Sequence, residues 1–276
     1  MLHAAALVSF VAATPSLAQQ PTEAADDGGD NFTIGVGALY VPSYEGSDDY
    51  LVAPAGVLRG RLSGFSFYTR GTSFFVDVVR EAPSAPVNLE FGPAINLRLD
   101  RTSRIKDSQV RALGEVDTAV EAGGFLGVTK NGVLHGYDFL TARVAVMHDV
   151  TNTHDSLVVT PAVEYATPLS RTTLVGASVS ADHVGAGYAR TYYGITPAAA
   201  VASGLAPYSV EDGGFKNVRG TLLFTQSLSG DLRNGLALFA IGSYSRMLGD
   251  FKRSPIVRDA GDADQWLASA GISYTF

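Results

Sequence analysis

Hydrophobic and polar residues alternate along most of this chain from residue 32 onward. In the clearest segment, residues 88–100, Leu89 and Phe91 share one face while Glu90 and Asn96 share the other. Because successive side chains of a β-strand point to opposite faces, each such segment is predicted to be a strand with one apolar and one polar face. Turn signals separate the segments at intervals typical of a β-barrel. The predicted strands are 32–41, 51–60, 63–70, 73–80, 88–99, 116–129, 136–148, 156–167, 171–182, 218–228, 235–247 and 266–276.

The connections between these strands fall into two groups. The long loops, 100–115, 183–217 and 248–265, all occupy odd-numbered positions. The short turns occupy even-numbered positions, near Arg61, Pro83, Asn131, Leu169 and Asp231. Long loops at one end and short turns at the other are typical of an outer-membrane barrel, whereas a soluble β-sandwich has no reason to sort its loops.

The polar faces carry charges of both signs, which a water-filled lumen tolerates and a dry sandwich core does not. These residues are Glu90, Arg98, Glu121, Arg143, Glu164, Arg219 and Arg246. The predicted fold class is therefore all-β, a transmembrane outer-membrane β-barrel of about twelve antiparallel strands. The range is ten to twelve, because the segments within 51–80 are short and weakly separated.

Three local features refine this prediction. Pro93 lies on the apolar face and has no N–H to donate, so we expect a β-bulge there. In 196–204, a capping Thr196, Pro197 and a final Gly204 predict a short helix of about two turns in an extracellular loop. Aromatic residues at strand ends suit interfacial girdles. They are Phe32, Tyr40, Tyr50, Tyr165, Tyr274 and Phe276.

The first 31 residues differ in character from the rest. Residues 1–18 contain a short apolar region and end in Ser16-Leu17-Ala18, which predicts a signal peptide cleaved after Ala18. Residues 19–31 are polar and acidic and are predicted to form a disordered periplasmic lead-in. The barrel is assigned to 32–276.

Composition narrows the class further. No apolar run after the N-terminal region reaches the roughly 18–20 residues of a spanning helix, so a membrane-spanning form must be a closed barrel. The net charge is −7, which gives no basic face for nucleic acid. The chain has no cysteine, which excludes disulfides and thiolate metal sites.

The acidic loop of residues 42–50 could bind a divalent cation. Glu45, Asp48 and Asp49 supply the carboxylates that hard cations prefer. The competing interpretation is a tight turn built on Gly46 and Ser47, which we favour.

Three His/Asp neighbours lie at the predicted outer rim, as in omptin-type surface proteases. They are His148-Asp149, His154-Asp155 and Asp182-His183. Adjacent residues on a strand face opposite ways, so only a cross-strand pair such as Asp149 with His154 could act as a general base couple. Solvated rim residues are the commoner explanation.

His154, Ser156 and Glu164 resemble the residue types of lipid A deacylases and share one face. That face is the predicted lumen, and Ser156 and Glu164 are separated by about 26 Å along one strand at roughly 3.3 Å per residue. We therefore reject this triad.

A set of basic residues occurs in and beside the loop 100–115. The set could contact lipopolysaccharide phosphates through charge-assisted hydrogen bonds, or it could simply be solvated, and the sequence favours neither. It comprises Arg98, Arg101, Arg104, Lys106 and Arg111.

Several motifs, in order along nearly the whole chain from residue 35, resemble those of the MipA/OmpV family of outer-membrane proteins. The most specific is Pro42-x-Tyr44-x-Gly46-Ser47-Asp48-x-Tyr50. The others are Gly35-x-Gly37, Pro54, Leu113-Gly114 through Asp117 and Glu121, Tyr193-Gly194-Ile195-Thr196, Ala202-Ser203-Gly204-Leu205-x-x-Tyr208, Gly213-Gly214, Ser254-Pro255-Ile256-Val257 and the closing Tyr274-x-Phe276. A terminal Phe also resembles the closing strand of such barrels, where it is part of the assembly signal.

The resemblance implies a non-enzymatic outer-membrane scaffold that bridges a lytic transglycosylase and a bifunctional murein synthase. It brings no catalytic residues, cofactors or metals, and it implies outer-membrane lipid and lipopolysaccharide as surroundings, with no nucleic acid. Other members are surface antigens or adhesins. Two alternatives stay open: a passive channel constricted by the helix in 183–217, and an outer-rim hydrolase that uses Asp149 and His154.

Overall fold

The computed structural model describes residues 30–80 and 85–276. The predicted signal peptide and the turn at Pro83 lie outside these residues. The predicted lead-in also lies outside them except for Asp30 and Asn31, and Asn31 already belongs to the first strand.

Twelve antiparallel strands form a closed barrel in sequence order, as predicted. The strands are β1 Asn31–Pro42, β2 Tyr50–Leu62, β3 Phe65–Arg70, β4 Ser73–Asp77, β5 Val87–Arg98, β6 Ala119–Asn131, β7 Phe139–Asp149, β8 Leu157–Pro168, β9 Thr173–Val184, β10 Gly214–Ser227, β11 Gly235–Met247 and β12 Asp264–Thr275. The helices are α1 Ser108–Ala112, α2 Ala186–Tyr193, α3 Pro197–Ser203, α4 Gly249–Arg253 and α5 Pro255–Arg258. Among the described residues, none of these helices is long and apolar enough to cross a membrane.

The barrel closes where β1 pairs with β12. Gly37 lies opposite Gly271 in this pair, and a Cβ on Gly37 would lie 2.3 Å from the carbonyl oxygen of Ala270. The two strands can approach this closely only because both positions lack a side chain.

Many large apolar side chains of the strands face outward, and most of the charged ones face inward. On β5, Leu89 and Phe91 are 59% and 55% exposed, whereas Glu90 between them is 4% exposed. A soluble domain buries its apolar face, so this inverted pattern indicates a barrel whose outer surface meets lipid.

Aromatic residues form two groups at opposite ends of the apolar belt. At the long-loop end, Tyr40 stacks on Tyr50 with centroids 4.8 Å apart, and Tyr244 contacts Trp266. At the short-turn end, the rings of Phe32, Phe67, Tyr274 and Phe276 form successive contacts. Two aromatic girdles are typical of both interfaces of a membrane barrel, and the long loops of such barrels face the exterior.

The long loops fold into a compact cap over the barrel mouth. The cap consists of 43–49, 99–118, 185–213 and 248–263. Within it, Tyr44, Ile105, Val110, Ile195 and Ile256 pack together. Helix α3 is as predicted: the Thr196 hydroxyl accepts the N–H of Ala199, and Gly204 ends the helix with φ 74°. The cap is therefore a folded unit with its own apolar core.

Two register predictions are wrong. Pro93 causes no bulge, because β5 keeps an unbroken register with β6 through the Pro93–Gly124 pair. The β4–β5 ladder stops at Ala94, and the Val78 N–H then donates to the Phe91 carbonyl in the same register. Arg246, predicted to face the lumen, points outward and pairs with Asp264 on the barrel rim.

Candidate functional site

Beneath the cap, three cations and three carboxylates form a cluster that we call the mouth cluster. Its members are Glu45, Arg98, Glu121, Asp182, Lys216 and Arg219. The Lys216 side chain is fully buried, and its Nζ lies 2.8 Å from both carboxylate oxygens of Glu45 and 3.6 Å from Asp182. Buried charges persist only when they are paired and hydrogen-bonded, and these charges are balanced in number.

A β-bulge places Lys216 in the lumen. The register between β10 and β9 shifts between Phe215 and Asn217, so that Lys216 and Asn217 both face inward. Simple alternation from Val218, which faces outward, would have directed Lys216 to the lipid side. Bulges commonly re-aim a side chain in this way.

The Tyr188 hydroxyl on α2 connects the cap to the mouth cluster. It accepts hydrogen bonds from Arg98 Nη1 at 3.0 Å and Lys216 Nζ at 3.1 Å, and it donates to Glu45 at 2.8 Å. Burial, more than any other influence, raises the pKa of Tyr188 well above its usual value, so the hydroxyl keeps its proton. The helix is thereby anchored to the barrel by charge-assisted hydrogen bonds.

Two carboxyl groups under the cap have pKa values shifted in opposite directions. Burial alone would raise the pKa of Glu45, but the charges of Lys216 and Arg98 hold it below its ordinary value. Burial and then the Glu45 carboxylate raise the pKa of Asp100 to about 7. Because Asp100 accepts the backbone N–H of Glu45 at 2.8 Å, the two groups are held close together.

Deeper in the lumen, two arginines and two glutamates form a second balanced set, the midbarrel cluster of Arg70, Glu90, Arg143 and Glu164. Arg143 Nη2 donates to Glu90 at 2.7 Å, and Arg70 Nη2 donates to Glu164 at 2.8 Å. Glu164 also lies 3.6 Å from Arg143. These pairs link β3 to β8 across the interior and β5 to β7, its second neighbour in the wall.

A cavity lies between the two clusters. Charged side chains from both clusters line it together with apolar residues, among them Phe75, Met147 and Val158. Tyr188, Tyr192 and Tyr193 of α2 are buried against Val184, Met247 and Phe251 at the mouth. The cavity is therefore amphipathic, and a packed helix covers it on the exterior side.

The rim histidines do not form the expected couple. The Asp149 carboxylate accepts the backbone N–H groups of His154 and Asp155, so it orders the loop 150–156 and does not touch the imidazole. The His154 ring is buried against Tyr188 and Tyr192, with Nε2 3.1 Å from Glu121. The predicted couple of Asp149 with the His154 imidazole is therefore not formed.

The other His and Asp residues that are adjacent in sequence also have separate surroundings. Asp182 faces the lumen and contacts Lys216, whereas the His183 ring packs edge-on against Phe215. His148 is half exposed, 3.7 Å from Asp155. The deacylase-like set is also dispersed: His154 contacts Glu121 and Glu164 contacts Arg70, which agrees with our rejection of it.

The loop 43–49 forms a tight turn, the interpretation that the sequence favours over a cation site. The Ser43 N–H donates to the Asp49 carbonyl, the Ser47 N–H donates to the Tyr44 carbonyl, and Gly46 has φ 95°. Glu45 was wrongly expected at the surface, because it enters the mouth cluster. No group of three or more acidic or histidine side chains within the described residues could hold a metal ion.

The predicted basic set divides into two. Arg98 is turned inward to Glu121, and Arg101 is buried, donating to the carbonyls of Tyr192 and Gly114. Only Arg104, Lys106 and Arg111 are exposed. The charge available to an external anion is thus smaller than the sequence suggested.

A closed antiparallel barrel with an apolar outer belt, two aromatic girdles and a charged interior defines an outer-membrane β-barrel protein. The family model described as MltA-interacting protein MipA matches residues 34–276, and the chain belongs to this family.

The chain is also similar to several solved structures. They include an anion-selective porin from Comamonas acidovorans, with 9% identity, TM-score 0.40 and coverage of 90% of this chain and 99% of the porin. The toluene transporter TodX of Pseudomonas putida has 12% identity and TM-score 0.37, with coverage of 91% of this chain and 90% of the transporter. No curated protein matches the sequence.

Proposed function

We propose that this protein is a non-enzymatic scaffold of the outer membrane that binds murein-processing enzymes on its periplasmic side. The observation that carries the proposal is the packing of the interior. All ten charged side chains of the two clusters have partners, and α2 packs over the mouth. An interior engaged in this way favours a structural role over transport or catalysis.

The periplasmic turn 132–138 is a preformed surface for such a partner. The Asp138 carboxylate accepts the backbone N–H groups of Val133, Leu134 and His135 and the hydroxyl of Tyr165. Four hydrogen bonds to one carboxylate fix the turn, so little conformational entropy remains to be lost on binding.

This turn displays apolar side chains. Leu134 is 71% exposed and Tyr137 is 66% exposed. Exposed Leu and Tyr side chains on a rigid turn are suited to a protein interface, in which tyrosine is enriched. The family description names an interaction with MltA, which supports a lytic transglycosylase as one partner and, by the family resemblance, a murein synthase as another.

The proposal also includes export and lipid contact. Residues 1–18 would act as the signal peptide, cleaved after Ala18, and the apolar belt would lie in outer-membrane lipid. The exposed Arg104, Lys106 and Arg111 would meet lipopolysaccharide phosphates. A surface adhesin or antigen role would use the cap instead of the turns.

The test is a binding measurement with the purified barrel in detergent. A lytic transglycosylase of the same organism is titrated against the wild-type barrel and a Leu134→Ser, Tyr137→Ser double variant. We expect the double variant to lose about 2–4 kcal/mol of binding free energy, as hot-spot residues do. A Val201→Ser variant on the exterior cap is the matched control. Equal affinity of all three barrels would rule out the turn as the docking surface.

A further inference from the structure

The wall of the barrel is incomplete at one place. Strands β3 and β4 contain six and five residues, whereas a strand that crosses the apolar layer needs about 9–11. Their neighbours, β2 and β5, contain 13 and 12 residues. The β3–β4 hairpin therefore reaches only part of the way up the wall, and Gly71 and Thr72 form its tip.

The shortfall leaves one edge of β2 without a strand partner. On that side β2 pairs with β3 only from Arg59 to Leu62, and the Thr69 hydroxyl then bonds both the N–H and the carbonyl of Leu58 in place of a ladder. Within the described chain, no strand pairs with residues 50–57 on this side. We call this gap between β2 and the hairpin tip the notch.

The sequence of β2 is adapted to an open edge. Leu58 turns its N–H toward β3, and because alternate residues of a strand direct their N–H groups to the same side, Pro54 directs its nitrogen into the notch. A proline is tolerated in a strand where no partner requires its N–H. The Tyr50 carbonyl faces the same side and accepts a hydrogen bond from Lys106 of the cap. Lys106 thus forms the exterior limit of the notch.

The notch lies at membrane depth. Tyr40 and Tyr50 belong to the exterior girdle, and residues 51–57 lie on the barrel side of it. Open backbone at this depth is tolerated only where it is buried in protein or borders a water-accessible cavity. The inward-facing Ala55 and Val57 are half-buried, unlike Leu51 and Ala53 on the same face, which are buried.

The notch adjoins the lumenal cavity. Thr72 and Ser73 at the hairpin tip and Leu97 and Arg98 at the end of β5 all line that cavity. Arg70, which precedes the tip, also lines it and is 6% exposed, and its Nε has no hydrogen-bond acceptor. A buried donor without an acceptor costs free energy, so the site favours a ligand that brings an acceptor oxygen.

We propose that the notch is a lateral portal through which a single-chain amphiphile with a carboxylate or phosphate head enters the cavity from the outer leaflet. The head group accepts a hydrogen bond from Arg70 Nε, and the acyl chain leaves between β2 and the hairpin tip along Val57. The apolar cavity wall of Phe75, Ala145 and Met147 covers the first methylenes.

The absence of native cysteine allows the portal to be blocked after folding. Gly56 lies on the open edge, and a Cβ there would meet nothing within 4 Å, so Gly56→Cys can be modified with a bulky maleimide in the folded barrel. Gly220→Cys, on the outer surface of β10 and equally unobstructed, is the matched control.

The probes are photoactivatable palmitate, lysophosphatidylglycerol and hexadecanol, each crosslinked to the full barrel in detergent and mapped by mass spectrometry. We expect the two anionic probes to label the notch and the cavity wall, and maleimide on Gly56→Cys, but not on Gly220→Cys, to abolish this labelling. The alcohol should label about ten-fold less, because its uncharged hydroxyl accepts a weaker hydrogen bond from Arg70 than an anionic head group does.

Labelling spread evenly over the apolar belt, or unaffected by the modified Gly56→Cys, would overturn the portal. Equal labelling by hexadecanol would overturn the assignment of an anionic head group. Labelling by palmitate alone or by lysophosphatidylglycerol alone would support the proposal and identify which acid is taken.

Discussion

At the scale of single residues, the molecule is defined by charges that a soluble protein would not bury. Each cluster contains equal numbers of cations and carboxylates, so each charge is compensated locally. Such an arrangement is costly to break, because removing one partner leaves the other ionised and desolvated. Two predictions concern single residues beneath the cap.

The first concerns Lys216. Lys216→Met leaves the buried Glu45 carboxylate without its nearest cation, and we expect a loss of about 3–5 kcal/mol in the free energy of unfolding. Urea unfolding in detergent, followed by tryptophan fluorescence of Trp266, measures it. The double variant Lys216→Met, Glu45→Leu should recover most of the loss, and a single variant as stable as wild type would contradict the pairing.

The second concerns Asp100, whose pKa of about 7 lies above its ordinary value of 3.8. Between these two pH values the unfolded chain has already released this proton and the folded protein still holds it. Stability should therefore decrease as the pH rises from about 4 to about 7. Asp100→Asn keeps the acceptor for the Glu45 N–H but cannot ionise, so the thermal midpoint of this variant should lose that part of the pH dependence. Identical pH profiles would show that Asp100 does not titrate in this range.

Sequence reasoning identified the lumenal charges on strands whose alternation is regular, such as Glu90, Glu121 and Arg143. It missed Glu45, because its position within a turn motif suggests a surface residue. It also missed Lys216, because a bulge reverses the face of that residue. Neither a loop that folds inward nor a bulge changes the hydrophobic pattern, so only the three-dimensional structure reveals them.

At the scale of elements, all twelve strands and helix α3 were predictable, because strand alternation and helix capping are local properties of the sequence. The notch was not predictable, since the 51–80 region differs only in segment length. The point at which β2 stops pairing with β3 depends on the direction in which the hairpin leaves β2. The arrangement of α2 over the mouth cluster was also out of reach, because it depends on contacts between residues far apart in sequence.

The closing seam provides an element-scale prediction. Gly37→Val places a side chain against the Ala270 carbonyl, so β1 and β12 cannot pair at their observed distance. We expect a loss of at least about 1–3 kcal/mol and a smaller fraction of heat-modifiable, folded barrel on gels. Gly242→Val on β11, where a Cβ meets nothing within 4 Å, should assemble normally. Equal yields of the two variants would contradict the seam geometry.

At the scale of the whole molecule, the barrel has two ends of different character. The exterior end is a folded cap anchored by Tyr188 to the mouth cluster, and the periplasmic end has short turns with exposed Leu134 and Tyr137. A closed exterior end and accessible turns at the periplasmic end suit the scaffold role proposed above.

A packed mouth predicts little ion conductance. Planar bilayers containing the wild-type barrel should show no steady single-channel steps. Removal of residues 186–203, which deletes α2 and α3, should produce them. Steady conductance by the wild-type barrel would instead favour the passive channel, and the far-UV circular dichroism of the deletion variant controls for barrel integrity.

The most direct test of the scaffold is photocrosslinking in intact cells from a photoreactive residue at Tyr137 in the periplasmic turn. Val201 on the exterior cap, 88% exposed, serves as the control position. We predict that Tyr137 captures a lytic transglycosylase or a murein synthase and that Val201 captures neither. Capture of only lipopolysaccharide and other barrels from Tyr137 would contradict the scaffold function.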